Sequence, residues 1–382
     1  MEIYKLPIEL AFIAFPFIAF VLTIPFLLHQ YRKYGAIPLL KSFIFYSLIL
    51  YLICAYFLVM LPLPSIDSVK KLTTPTTQLI PFQFIKDILA TTSFKIKNLS
   101  DVINIFKQPP VYTVLFNIIL TLPLGVYLRY YYNKNWLQTI GYTFLLSLFF
   151  EITQLSGLYG IYPRPYRLFD IDDLLINTLG GLIGYIVAPL FTIFLPTREE
   201  LEEKSYNKGT KVTLLRRTVS LSIDFFSLSL VMLMLKVATY GFELNKYSNT
   251  IALLIYYIFI PLCFEGKTIG KKIVKLKLVG IEGKINLIQI TLRYFIFAFF
   301  TIFPYIWIKN LSSIINNDIT KRLWSVIIIY QIANIAYYIL TLIKGNPIFI
   351  YEKITNTKNV SIIERKNQED KKSSTKLNGK NI

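Results

Sequence analysis

An ordered set of ionisable and amide side chains lies in and between two strongly apolar stretches of the chain. Glu151 and Gln154 are three residues apart and share a face if their segment is helical. Arg167, Asp170 and Asp173 follow. Such carboxylates can coordinate a hard divalent cation through oxygen, and an arginine fork can hold a phosphate or carboxylate. A salt-bridge network that only orients two helices is the third interpretation of these residues.

The next apolar stretch continues this pattern with residues that recur at helical spacing and share a face: Asp173, Asn177, Gly180 and Gly184. Gly180 and Gly184 form a small-xxx-small pair, which lets another helix approach closely, and Gly181 lies beside them. Asp172 points off this face, so we expect it to be solvated or to cap the start of its helix.

Asn117 lies in an earlier apolar stretch and adds a further amide at membrane depth. Polar groups at such depth are costly, so they are functional candidates by default. We expect the ligand-binding residues to converge on one polar pocket at the extracytoplasmic surface: Asn117, Glu151, Gln154, Arg167, Asp170, Asp173 and Asn177.

A second set of charged residues lies in the C-terminal half. Asp224 falls inside an apolar stretch and needs a partner, which Arg217 or Arg293 could supply. The run from Gly266 to Lys271 looks like a phosphate-binding loop, but it lacks the four-residue spacer between glycines and the Ser/Thr after the lysine. A turn that leads into a basic strand-like segment is the better interpretation.

The amino-acid composition predicts the secondary structure that carries these residues. The chain has 382 residues, of which 54% are hydrophobic and 16% charged, whereas a soluble protein carries about 25% charged residues. The apolar residues form continuous blocks of the length that crosses a bilayer as a helix. We therefore predict an all-α, polytopic helical membrane protein with about nine transmembrane helices in two bundles, at 8–28, 41–61, 112–131, 136–156, 174–195, 218–238, 249–264, 287–308 and 323–343.

The charge distribution predicts orientation and partners. The net charge is +19, and Lys and Arg collect on the cytoplasmic side of membrane proteins. Their distribution among the loops favours an extracytoplasmic N-terminus and a cytoplasmic C-terminus. We expect membrane lipids as partners, since a lysine-rich tail faces anionic head groups, and no nucleic acid.

Loop composition predicts the domain organisation. Residues 1–196 form a first membrane domain with five helices, 197–211 a cytoplasmic linker, 212–361 a second domain with four helices, and 362–382 a disordered basic tail. In the long loop 62–110, Pro81–Ala90 is amphipathic, as is typical of an interfacial helix.

Several function classes lack the residues they require. His29 is the only histidine, and Cys54 and Cys263 both lie inside predicted helices. Zinc sites, Ser-His mechanisms and disulfide frameworks are therefore not expected. We predict no cofactor and do not favour an enzyme, because no nucleophile–base pair is visible.

The polar motif resembles a known family. The run Glu151-x-x-Gln154, then Arg167-x-x-Asp170-x-Asp172-Asp173-x-x-x-Asn177-x-x-Gly180-Gly181-x-x-Gly184, is similar to the signature of the VanZ-like family. The resemblance covers roughly residues 40–195. It implies a bacterial cell-membrane protein connected with low-level resistance to teicoplanin, a glycopeptide with a lipid tail.

The second charged set resembles the RDD family, over about residues 212–361. Its opening motif matches Arg217 and Asp224, and its central motif matches Gly266, Gly270 and Lys271. The closing motif matches around Glu352, where the family has an aspartate. Arg293 completes the set of charged residues that we assign to this domain.

Three functions remain open from the sequence. The first is resistance or envelope interaction, in which the polar pocket binds an anionic lipid, a lipid-linked cell-wall precursor or a lipoglycopeptide. The second is an ion or small-molecule transporter with a charge relay of Arg217, Asp224 and Arg293. The third is an enzyme for a lipid-linked substrate that uses the acid cluster with Mg²⁺ or acid–base chemistry.

Overall fold

The computed structural model describes residues 2–91, 99–280, 283, 285–297, 317–343 and 347–363. The chain divides into two compact units, one formed by residues 1–24 and 38–202 and the other by residues 25–37 and 203–382. Apart from residues 362 and 363, the tail for which we predict disorder lies outside the described residues.

The first unit is built from helices and one short strand pair. Its apolar blocks are helical because a helix satisfies its own backbone groups in lipid. The helices are α1 (Glu2–Tyr34, whose end belongs to the second unit), α2 (Leu39–Met60), α3 (Ile66–Lys70), α4 (Gln83–Thr91), α5 (Leu99–Phe106), α6 (Pro109–Tyr130), α7 (Trp136–Leu155), α8 (Gly157–Gly160), α9 (Ile171–Thr192) and α10 (Arg198–Gly209, which belongs to the second unit from Glu203 onward). Strands β1 (Thr77–Gln78) and β2 (Phe169–Asp170) pair in parallel.

Local sequence signals fix where these helices begin. Prolines occupy the first turn of α6, where the missing N–H costs nothing. Asn135 and Gln138 form a reciprocal capping box at the start of α7. Asp170 caps α9, since its carboxylate accepts the N–H of Asp172 at 2.8 Å.

Glycines allow α6 and α9 to pack closely along one another. A Cβ atom on Gly184 would collide with the Leu122 carbonyl oxygen of α6. A Cβ atom on Gly125 would collide with the carbonyl oxygen of Gly181. Gly180 meets α6 at Ile118. The backbones therefore approach at the distance that small residues permit. The buried core beside them contains Ala55, Met60, Val69, Leu120, Phe150, Leu158, Tyr162 and Tyr166.

The second unit combines helices with an antiparallel strand pair. Its elements are α11 (Leu214–Ala238), a 3₁₀ turn (Glu243–Tyr247), α12 (Ser248–Leu254), a π-helical segment (Ile255–Phe259), α13 (Ile260–Cys263), α14 (Ile269–Ile273), β3 (Leu276–Gly280), α15 (Leu287–Phe297), α16 (Asn317–Ile343), α17 (Ile350–Ile354) and β4 (Thr357–Ser361). Leu276 lies opposite Ser361, and Gly280 lies opposite Thr357. The buried core contains Leu228, Ala252, Tyr256, Tyr257, Leu278, Ile290 and Tyr294.

The chain is a polytopic helical membrane protein, as predicted. Among the described residues, seven helices are long and apolar enough to cross a membrane. They correspond to all the predicted blocks except the fourth and the eighth. The span that matches the seventh block, Glu243–Cys263, is made of four short helical pieces. The fourth block forms α7, a helix of 20 residues that is outside the seven. The eighth block is described only as far as Phe297. The predicted linker contains a helix, α10.

Candidate functional site

The loop that follows α2 is fixed to the start of α9 by one carboxylate. Asp172 accepts the backbone N–H groups of Phe82 at 2.6 Å and Phe84 at 2.9 Å. These N–H groups belong to the first turn of α4 and the residue before it, so Asp172 satisfies donors that no intrahelical bond can reach. We expected Asp172 to be solvated or to cap its own helix; that prediction was wrong, since its side chain is buried and Asp170 is the cap.

Two arginines between α8 and α9 hold the same loop. Arg164 donates to the carbonyl oxygens of Leu72 and Thr74. Arg167 donates to the carbonyls of Val59 at 2.9 Å and Leu61 at 3.3 Å. The Arg167 residue is nevertheless exposed, so its guanidinium lies at the surface beside the end of α2. Among the described residues, it makes no ion pair with the acids of this region.

Glu151 joins α7 to the strand that precedes α9. Its carboxylate is buried and accepts the backbone N–H of Asp170 at 3.0 Å. Gln154, one turn further along α7, donates to the Val59 carbonyl at 3.1 Å. The Asp170 carboxyl is half-buried, and this burial raises its pKa above the ordinary value.

Amides and hydroxyls link the buried part of α9 to α6 and α7. Asn117 donates to the Asp173 carboxylate at 2.6 Å. The side-chain amide of Asn177 donates to the Ser147 hydroxyl at 2.9 Å, and the backbone carbonyl of Asn177 accepts from the Thr121 hydroxyl at 2.7 Å. The side-chain oxygen of Asn177 is buried without a hydrogen-bond partner among the described residues. The polar groups thus form one network across three helices.

The structure brings most of the predicted pocket residues to one end of the α6–α7–α9 group. Asn117 and Asp173 meet directly, and Glu151 meets the backbone of Asp170. Gln154 and Arg167 instead converge on the carbonyl of Val59. No group of three or more His, Cys, Asp or Glu side chains in the described residues is arranged to hold a metal ion.

The N-terminal helix group has a recognisable family. The family model described as VanZ/LLP1 matches residues 43–194. These residues are a VanZ/LLP1 family domain. The match spans α2 to α9 and includes every residue of the polar network described above. No curated protein and no solved structure is significantly similar to the chain.

The VanZ/LLP1 domain presents an apolar surface beside its polar network. Helix α4 packs against α6, which leaves Ile85 and Leu89 exposed together with Leu79, Ile80 and Phe82 just before the helix. Asp172 places this segment next to the start of α9. Amphipathic segments of this kind are typical of the membrane interface. The domain thus places an apolar surface next to hydrogen-bonding acids.

The comparison with families gives no support for an RDD domain in the C-terminal half, but the charged residues of that half do form two buried groups. Asp224 is 2% exposed and accepts three hydrogen bonds at 2.7 Å, from Tyr256, Thr268 and the N–H of Gly270. Neither arginine partners Asp224, so that expectation was wrong. Neutral donors from the π-helical segment and from the start of α14 satisfy the carboxylate in their place.

Glu352 is the carboxylate that both arginines contact. Arg217 donates to it at 2.6 Å and Arg293 at 2.9 Å. It also accepts the N–H of Phe349 and the side-chain amide of Asn359. Burial alone would raise the pKa of Glu352, but the two guanidinium groups hold it below the ordinary value. The predicted charge relay is therefore absent in its expected form, because the arginines are paired to Glu352 and not to Asp224.

The fold explains why positions 266 and 270 of the central motif are glycines. Gly266 has a φ of +79°, and a Cβ atom there would collide with the Leu278 carbonyl oxygen. Gly270 packs against the Ser220 carbonyl and the Asp224 carboxyl group. The segment is a turn followed by the short helix α14, with strand β3 after it.

Sequence reasoning missed a fully buried arginine at the start of α11. Arg216 donates to the carbonyls of Gly209, Val274 and Lys275 at 2.6–2.7 Å, and also to the Ser361 hydroxyl. It thereby joins the end of α10 to the residues just before β3 and to the end of β4. Two consecutive arginines in the first turn of an apolar helix are the only sequence signal of this role, and they do not tell which arginine is buried.

Proposed function

We propose that this protein binds an amphiphilic molecule of the bacterial cell envelope through its VanZ/LLP1 domain. The ligand class is a lipid-linked cell-wall precursor or a lipid-tailed glycopeptide, and the outcome is low-level protection against teicoplanin. The observation that carries this proposal is the Asp173–Asn117 pair of α9 and α6, with Asp172 holding the apolar α4 segment beside it.

An amphiphile needs these two surfaces together. Its sugar hydroxyls and amines donate hydrogen bonds, which Asp170 and Asp173 accept. A phosphate or carboxylate on the same head group pairs with the exposed Arg167. Its acyl chain lies against the exposed apolar side chains of the α4 segment.

The remaining residues of the network support this head-group site. Asn117 orients the Asp173 carboxylate, and Glu151 fixes the backbone of Asp170. Gln154 and Asn177 are buried and hold neighbouring segments. We propose that the site faces the extracytoplasmic side, with the N-terminus outside and the C-terminus in the cytoplasm, because that orientation satisfies the distribution of Lys and Arg.

Growth inhibition in a glycopeptide-susceptible Gram-positive host tests this function. The series compares wild type, Asp173→Asn, Asp67→Asn and Asp224→Asn at matched membrane abundance, against teicoplanin and vancomycin. Asp67 is the matched control, because it is an exposed acid in α3, in the segment that follows α2. Its ion pair with Lys70 lies at the surface. We expect teicoplanin protection from wild type and from both control variants, and none from Asp173→Asn. The proposal is contradicted if Asp173→Asn still protects against teicoplanin, or if wild type gives no protection.

Transport by an RDD-like second domain is the alternative. It requires a charge that changes partner during the cycle. Both arginines are held by Glu352, and Asp224 is held by three neutral donors. We therefore place envelope interaction first and keep transport by the RDD-like residues 212–361 as the second proposal. Growth of Asp224→Asn under sodium stress tests this transport, and no defect at normal abundance would count against it.

A further inference from the structure

A cavity of about 230 Å³ lies inside the second unit, among α11, α14, α15 and α16. Three basic side chains line it: Arg217, Lys271 and Arg293. Asp224 is the acidic residue among its lining residues. A cavity of this size is smaller than the pockets of about 300–1,000 Å³ that enclose drug-sized ligands. It therefore suits a small ion or the head group of a larger molecule.

The charges around the cavity do not cancel. Glu352 pairs with both arginines, and Asp224 is satisfied by neutral donors. Lys271 is 9% exposed and donates to the Tyr294 hydroxyl at 2.9 Å. No described carboxylate lies within ion-pair distance of its ammonium group. Three cations thus face two carboxylates, and an unpaired buried charge is costly unless a ligand compensates it.

Unpartnered polar atoms point to the same cavity. Four of its lining residues have a buried side-chain atom with no hydrogen-bond partner among the described residues: Arg217 (Nε), Ser220 (Oγ), Tyr257 (OH) and Asn359 (Oδ1). Three of these atoms can donate a hydrogen bond. Buried unpartnered groups are rare in native proteins, and here several of them surround one cavity. Donors and a surplus positive charge together are what an anion requires.

We propose that this cavity binds a phosphate group, with Lys271 and Arg217 as its cationic contacts and the hydroxyls of Ser220 and Tyr257 as donors. A phosphodiester carries one negative charge and balances the surplus at the cavity. Leu221 and Ile335 line the cavity and have exposed apolar side chains, against which an acyl chain can lie. The same phosphate chemistry is offered by an anionic phospholipid and by inorganic phosphate.

Titration of the purified full chain in detergent distinguishes these two sources. The ligands are short-chain phosphatidylglycerol, short-chain phosphatidylcholine and inorganic phosphate, with binding measured by calorimetry. We expect wild type to bind phosphatidylglycerol more tightly than phosphatidylcholine, or to bind inorganic phosphate. In either arm, Lys271→Gln weakens binding by about tenfold or more, because a charge-assisted bond is lost. Lys272→Gln is the matched control, because Lys272 is the next residue and its side chain is exposed.

Two further variants separate binding from folding. Ser220→Ala and Tyr257→Phe remove atoms that have no partner within the described protein. We expect both to leave the melting temperature of the ligand-free protein unchanged and to weaken phosphate binding several-fold. The proposal is overturned if wild type binds neither anion, or if Lys271→Gln binds as tightly as Lys272→Gln. The site lies wholly in residues 214–359, so Asp173→Asn is expected to leave it unaffected, and this result is independent of the envelope-binding function.

Discussion

Asp172, in the first turn of α9, accepts the backbone N–H of Phe82 at 2.6 Å, across 90 positions of sequence. The same carboxylate accepts the N–H of Phe84 at 2.9 Å. One acid therefore holds the apolar α4 segment of the VanZ/LLP1 domain beside the polar network at the start of α9. The proposed envelope-binding surface depends on this contact, because without it the two halves of the surface can separate.

Asp172→Ala tests the attachment of the α4 segment. Loss of two charge-assisted hydrogen bonds, each contributing about 1.5–3 kcal/mol, should open the loop locally without unfolding the helices. We expect faster hydrogen exchange and faster proteolytic cleavage in residues 79–91, with Asp67→Ala as the control. Unchanged exchange in this segment would mean that other contacts hold it.

The glycines of α9 and α7 offer a matched pair for helix packing. Gly184→Ala drives a methyl group into the Leu122 carbonyl of α6, and overpacking of this kind costs about 1–3 kcal/mol. Gly141 in α7 has open space where its Cβ would lie, so Gly141→Ala should be neutral or stabilise by up to about 1 kcal/mol. Thermal unfolding in detergent measures both, and equal melting temperatures would contradict the close α6–α9 approach.

The Glu352 ion pairs predict a large stability effect in the second unit. Glu352→Gln leaves Arg217 and Arg293 buried beside a neutral amide, and removal of one partner from a buried ion pair costs about 3–5 kcal/mol. We expect a markedly lower melting temperature, whereas Glu243→Gln, at an exposed position, should change little. Glu352→Asp should lie between them, because the shorter side chain keeps the charge but does not reach both arginines.

Acid should weaken the second unit through the same residue. The pKa of Glu352 is lowered in the folded protein from an ordinary value of 4.5. As pH falls below this value, the unfolded chain takes up the proton first, so the stabilisation is present above pH 4.5 and is lost as pH falls through the folded-state pKa. Melting temperatures measured from pH 7 to pH 3 should fall less steeply in Glu352→Gln than in wild type. Parallel curves would show that Glu352 does not carry this dependence.

The membrane helices and their polar motif could be predicted from the sequence because their signals are local. Continuous apolar blocks define α2, α6, α9 and α11, and the spacing of Gly180 and Gly184 predicts one packing face. The VanZ-like resemblance located the family domain for the same reason, since its motif is compact and ordered.

The partners of the buried acids could not be predicted, because they are set by tertiary contacts. Charge complementarity suggested an arginine for Asp224, yet hydroxyl and backbone N–H donors satisfy it. Asp172 bonds to backbone groups, which every residue carries and no sequence pattern marks. The proposed phosphate site depends on Ser220 and Tyr257, two ordinary polar residues. They are notable only because their side-chain oxygens have no hydrogen-bond partner among the described residues.

Equilibrium binding to the purified full chain in nanodiscs of zwitterionic lipid tests the central claim most directly. The ligands are teicoplanin and a lipid-linked cell-wall precursor, with vancomycin as the glycopeptide without the lipid tail. We predict that at least one of the two amphiphiles binds wild type and Asp67→Asn equally, and that Asp173→Asn weakens this binding about tenfold or more. Binding of neither amphiphile, or equal binding by Asp173→Asn, would contradict a head-group site in the VanZ/LLP1 domain.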